Sequence, residues 1–131
     1  MNIKNGDQNS LKALVIAAVG LGVYCWSIAS MAANSAPWVA SVTDLITDSS
    51  AFGGCMAKVN PPPSDQGGVT CSTDWVTFSC DGTYNSKSQG ANKMAAAQLA
   101  YVTGGQVKLV VQDQYQHNSH CFARRIDNVA P

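Results

Sequence analysis

The chain predicts a mainly β domain with one helix, an α+β arrangement, and three observations carry that prediction. Short runs alternate apolar with polar residues, most clearly Asp74 to Cys80, where Val76, Phe78 and Cys80 share one face and Trp75, Thr77 and Ser79 the other. A single run, from about Gln89 to Thr103, instead repeats apolar residues at spacings of three and four. Turn formers such as Asp48-Ser49-Ser50, Asp81-Gly82 and Gly104-Gly105 separate the runs. The resulting order is strand, strand, strand, helix, strand, strand. That is the order of a five-stranded OB-like Greek-key barrel with its helix between strands 3 and 4.

Each element has its own justification. The first strand covers Val39 to Thr47, with Val42, Leu45 and Ile46. A second covers Ala51 to Val59, where Gly53-Gly54 suggests a bulge or a close backbone approach. Asn60 to Gly68 holds Pro61-Pro62-Pro63, which removes three backbone donors, so it is an exposed loop. The third strand is Asp74 to Cys80. Ser86 or Ser88 can cap the helix, whose apolar stripe is Ala91, Met94, Ala95, Leu99 and Val102. Gly104 ends it in the left-handed conformation that glycine tolerates. Gln106 to Gln112, centred on Val107, Leu109 and Val111, is the fourth strand. Gln114 to Ser119 is a polar connection, and His120 to Val129 the last strand.

Residues 1–33 read as a signal peptide and 34–131 as a single domain. Lys4 and Lys12 precede the apolar stretch Ala13 to Trp26, and small residues follow. Both Ser30-Met31-Ala32 and Met31-Ala32-Ala33 suit a signal peptidase, so processing is expected to leave no stable membrane span. Val23-Tyr24 before Cys25 are too large for a lipoprotein signal. The expected location is therefore the periplasm or outside the cell.

Past the signal, Lys58, Lys87, Lys93, Lys108, Arg124 and Arg125 face seven aspartates and no glutamate. This balance offers no basic face for nucleic acid. A domain of this size has a marginal core. Cys55, Cys71, Cys80 and Cys121 in an exported chain read as a disulfide framework. Three pairings are open; a hairpin of the second and third strands would favour Cys55 with Cys80, leaving Cys71 with Cys121. No Cys-x-x-Cys pair supports a metal site.

Catalytic motifs are missing. There is no Gly-x-Ser-x-Gly elbow, no phosphate loop and no glutamate for paired-carboxylate chemistry. No cofactor is implied and no enzyme is expected. His117 and His120, with Asp113, could share a metal only if their segment were helical, so turn residues before a strand is the expected reading. The ligand-binding candidates are Tyr84 and Trp75, whose rings can stack on sugars or bases, and Arg124 and Arg125, whose forks match carboxylates. Trp38 is the third large aromatic; core packing is the expected reading for these rings, with Tyr84 the best surface candidate, and an ion pair with Asp127 or a loop carboxylate is the expected reading for one arginine.

Ala97 to Val111, a helix end, a Thr-Gly turn and a strand, resembles the B subunits of pertussis-like and subtilase-type AB5 toxins. The match covers about fifteen residues, and the element order most of the domain. The resemblance implies an OB-fold, a strand-linking disulfide at Cys55 and Cys80, ring assembly and glycan binding. Trp38 and Val111 stand where that family places its sugar-contacting serine and tyrosine, so those site residues do not carry over. Trp75 to Gly82 and Cys121 to Asp127 look like signatures of a small, uncharacterised exported bacterial family. The expected role is a non-catalytic exported binding domain with a glycan as ligand. The alternative is a protein-interaction module, either an envelope inhibitor or a subunit of a secreted assembly, with a homo-oligomer as one form.

Overall fold

A computed structural model describes residues 33–48, 50–71 and 73–130. Of the expected signal peptide, 1–33, all but Ala33 lies outside them. Five strands, β1 (Trp38–Thr47), β2 (Cys55–Asn60), β3 (Trp75–Thr77), β4 (Gln106–His117) and β5 (His120–Val129), close into a barrel in the order β1-β2-β3-β5-β4. Helix α1 (Lys87–Thr103) stands between β3 and β4 in the chain. This is the OB-like arrangement that the element order predicts. Every pairing is antiparallel except β3 with β5, which run parallel with Val76 opposite Cys121. Closure gives every strand two hydrogen-bonded neighbours.

The core follows from strand alternation. Trp38, Ala40 and Val42 point inward from β1 until Thr43 is inserted as a bulge, and Val107, Leu109 and Val111 point inward from β4. Phe78, Val59 and Val76 fill the centre, while Met56 is buried on the opposite side of β2. Trp38 is core, and its Nε1–H donates to the carbonyl of Pro61 at 3.3 Å. Cys55 pairs with Cys80 and Cys71 with Cys121. Two disulfides fit an oxidising compartment. Among the described residues no helix is long and apolar enough to cross a membrane.

Four expectations need correction. The helix turns a different stripe to the barrel: Gly90, Met94, Ala97 and Ala100 are buried, while Ala91, Ala95, Leu99 and Val102 are exposed. Close approach is the reason. A methyl at Gly90 would sit 2.7 Å from the Cα of Cys80, so the first turns of the helix approach the barrel too closely for a side chain there, while Met94 packs into the core further along. The third strand ends at Thr77, because Ser79 adopts φ 53° and turns the chain inward. Thr77 and Ser79 are consequently buried beside Val76 and Phe78, not segregated from them. The second strand begins at Cys55, because Ser50–Phe52 form a 3-10 turn and Gly53 and Gly54 both have positive φ. Finally, the polar segment Gln114 to His117 continues β4, and Asn118 and Ser119 alone turn the chain into β5.

Candidate binding cleft

Three pieces of chain converge beside the barrel. Ser86 starts α1 with a reciprocal cap: its hydroxyl accepts from Gln89 N–H at 3.2 Å, and the Gln89 side chain accepts from Ser86 N–H at 3.1 Å. This sets Gln89, Asn92 and Lys93 along one wall. The β4–β5 hairpin supplies Gln112, Tyr115, Phe122 and Arg124, and the loop before α1 supplies Tyr84 and Asn85. Together they line a shallow cleft of about 470 Å³.

Its aromatic side is a cluster. The Tyr84 ring lies 5.1 Å from Tyr115 and 5.8 Å from Phe122, and Tyr115 meets Phe122 edge-on at 6.4 Å. Tyr84 is held in place because its hydroxyl donates to the carbonyl of Gln116 at 2.7 Å and its ring packs 4.6 Å from His117. Tyr115 is 39% exposed, so part of this residue remains accessible at the rim. The polar side has four amides and two cations. Asn85 donates Nδ2–H to Phe78 O at 3.1 Å, while its Oδ1 is buried with no partner. A buried acceptor without a donor is costly. Burial pushes the Lys93 ammonium down to about 8 from 10.5.

Of the four sequence candidates the cleft unites two, Tyr84 and Arg124. Arg124 is the extra residue of a bulge, since Val110 pairs with Arg125 and Val111 with Ala123. Both arginines are therefore exposed, and neither enters the barrel. Arg125 lies outside the cleft lining, with its Nε 2.7 Å from Asp127. Trp75 is also elsewhere, half-buried on β3 opposite Lys58. Tyr115, Phe122, Lys93 and the amides were not singled out by the sequence. Their signal was weak: an expected polar connection hid Tyr115, and an expected helix stripe drew attention from Lys93.

The histidines do not share a site. His117 Nε2 is 3.2 Å from Ser79 Oγ, His120 Nδ1 is 2.7 Å from Thr73 Oγ1, and Asp113 accepts from Ala33 and Thr70. Burial lowers the affinity of His120 for its proton, against an opposing pull from Asp74. Among the described residues no three His, Cys, Asp or Glu side chains are grouped to hold a metal.

Ser79, His117 and Asp81 do meet, which sequence reading missed. Ser79 Oγ lies 2.9 Å from Asp81 Oδ1 and accepts from Tyr84 N–H at 3.0 Å. Burial alone would raise the Asp81 pKa, but hydrogen bonds from Thr83 and Ser79, and the charge of His117, hold it below the usual value. The ionised carboxylate is the stronger acceptor and takes the single hydroxyl proton. His117 then presents Nε2–H to Ser79 as a donor, the reverse of a general base. Ser79 is also fully buried. The cluster braces Tyr84 from beneath.

A second hollow of about 530 Å³ lies at the far end of α1, lined by Leu99, Thr103, Gly105, Gln106, Asn128 and Ala130 among others. Compared with protein-family models, curated proteins and solved structures, the chain matches none of them. Fold and cleft together define a small, disulfide-stapled barrel domain with one aromatic and amide-lined groove.

Proposed function

We propose that the protein is an exported, non-catalytic binding domain whose cleft between α1 and the β4–β5 hairpin holds a glycan. The observation carrying this reading is the meeting of Tyr84, Tyr115 and Phe122 with Asn85, Gln89, Asn92 and Gln112 on one concavity. A sugar ring has an apolar C–H face suited to an aromatic side chain. Its vicinal hydroxyls both donate and accept, and so do carboxamides. Pockets that recognise small ligands combine such apolar walls with a few convergent polar groups. The AB5 B-subunit resemblance supports the same ligand class, although the cleft differs from that family's sugar site: Trp38 and Val111 are both core residues here. The braced Ser79, with its hydroxyl committed to Asp81, supports binding without catalysis. The disulfides and the apolar leader support a periplasmic or secreted location.

A glycan array probed with the labelled protein and with Tyr115→Ala tests this. Binding of discrete glycans by the parent, weakened at least tenfold in the variant, is expected. Silence of the array, or equal binding by both, would reject the reading.

The second reading is a protein-interaction module, and Leu99, Tyr101 and Val102 favour it. They are 53%, 48% and 74% exposed on α1. Leu99 and Val102, three positions apart, share one outward face of the helix, and an exposed apolar pair of that kind suits a protein partner, including another copy of this chain.

A further inference from the structure

We infer that the chain is cut between Ala32 and Ala33, and that the cut creates an ion pair between the new α-ammonium of Ala33 and Asp113. The inference rests on the export reading and goes beyond it by assigning the bond cut and a structural consequence. Leader composition leaves two positions open: after Ala32, where Ser30 and Ala32 are the small pair, or after Ala33, where Met31 stands in place of the first small residue. The fold gives the first position a consequence that the second lacks.

Residues 33–35 lie against β4 as a short antiparallel extension. Asp113 N–H donates to the carbonyl of Ala33 at 3.3 Å, Asn34 pairs with Gln112, and Ser35 N–H donates to the carbonyl of Val111 at 2.9 Å. Val111 N–H returns a bond to Ser35 Oγ at 3.0 Å. At the end of this ladder Ala33 N–H donates to Asp113 Oδ1 at 3.2 Å. The other carboxylate oxygen accepts from Thr70 N–H at 3.1 Å and Thr70 Oγ1–H at 3.0 Å, beside Cys71. No lysine or arginine pairs with Asp113 among the described residues. Burial works against its charge, yet the hydrogen bonds from Thr70 and Ala33 hold its pKa below the usual carboxylate value. Asp113 is thus an anion surrounded by neutral donors.

Hydrolysis of the Ala32–Ala33 peptide changes one of those donors. Water adds its hydroxyl to the Ala32 carbonyl carbon, the C–N bond breaks, and the Ala33 nitrogen leaves as an amine that is protonated at neutral pH. The atom already touching Asp113 then carries a positive charge and three protons. A charge-assisted bond of this type is about twice as strong as its neutral counterpart. Cutting one residue later, at the boundary expected from sequence, would remove Ala33 together with both of its bonds to Asp113. The agent is a signal peptidase of the export membrane. Its product is a barrel whose first residue is fastened, through Asp113 and Thr70, beside the Cys71–Cys121 bridge.

The test begins with the full precursor expressed in an exporting host, followed by intact mass and N-terminal sequencing of the product. A chain beginning at Ala33 is expected. Its α-amine, tagged by ¹³C reductive methylation that keeps the charge, is then titrated by NMR in the folded protein and in the same protein unfolded in urea. The folded amine should hold its proton roughly tenfold more tightly, a difference of about 1.4 kcal/mol. Asp113→Asn should abolish the difference; if that variant does not fold, the folded and unfolded parent still decide the matter. A first residue other than Ala33, or equal titration in both states, overturns the inference while leaving export intact. A retained leader overturns both.

Discussion

The Lys93 ammonium lies 4.2 Å from the centre of the Phe122 ring and donates to the carbonyl of Ala123 at 2.9 Å. One side chain therefore ties helix α1 to strand β5 and forms the cationic wall of the cleft. The ring face favours the cation, while desolvation opposes its charge.

The opposition gives a pH signature. Burial lowers the Lys93 pKa to about 8, whereas an unfolded lysine titrates near 10.5. Between these values the unfolded chain binds more protons than the folded one, so this residue makes stability rise with pH. Its cost is fully present below about 8 and relieved above about 10.5. In Lys93→Met that contribution should vanish. Urea denaturation of both proteins from pH 7 to 10.5 should show the parent gaining on the variant as pH rises, and parallel curves would contradict the assignment.

Gly90 inverts a propensity rule. Alanine normally stabilises a helix interior over glycine by about 1 kcal/mol. Here a Cβ would lie 2.7 Å from Cys80 Cα and 2.9 Å from Ser79 O, both backbone atoms that cannot step aside cheaply. Gly90→Ala should destabilise the domain by about 1–3 kcal/mol and loosen the Ser79–Asn85 loop behind the cleft. Denaturation midpoints will show it, and a stabilised variant would mean that α1 stands further from the barrel.

The two bridges should differ modestly. Cys55–Cys80 closes a separation of 25 residues and Cys71–Cys121 one of 50. Loop entropy alone assigns about 3.5 and about 4 kcal/mol to them. Replacing both cysteines of either pair by alanine should lower stability by roughly 2–5 kcal/mol, with the longer loop costing more by about half a kcal/mol. Non-reducing peptide mapping beside the denaturation curves checks the pairing as well as the order.

Strand order and barrel class were legible because Val107, Leu109 and Val111 alternate cleanly and because glycines mark both ends of the helix region. The helix face was not. Hydrophobicity favours Leu99 and Val102, but interaxial closeness at Gly90 decides which face packs, and closeness is a tertiary quantity. Thr77 and Ser79 escaped for a related reason: each is buried only because a local acceptor awaits it, Phe52 O at 2.8 Å for Thr77 and Asp81 at 2.9 Å for Ser79. Tyr84 and Arg124 were visible as stacking and charged side chains. That they share a cleft with Tyr115 and Phe122 depends on the β4–β5 hairpin and the bulge at Arg124, neither of which has a turn or glycine signature strong enough to read.

The central claim is that the aromatic and amide-lined cleft is the binding surface. Titration of ¹⁵N-labelled, disulfide-intact protein with the glycans retained on the array, followed by two-dimensional NMR, tests it most directly. Saturating shifts confined to Tyr84, Asn85, Gln89, Asn92, Gln112, Tyr115 and Arg124, and lost in Tyr115→Ala, are the predicted result. Shifts clustered at Leu99, Val102 and Ala130, or no saturable shift at all, would contradict it.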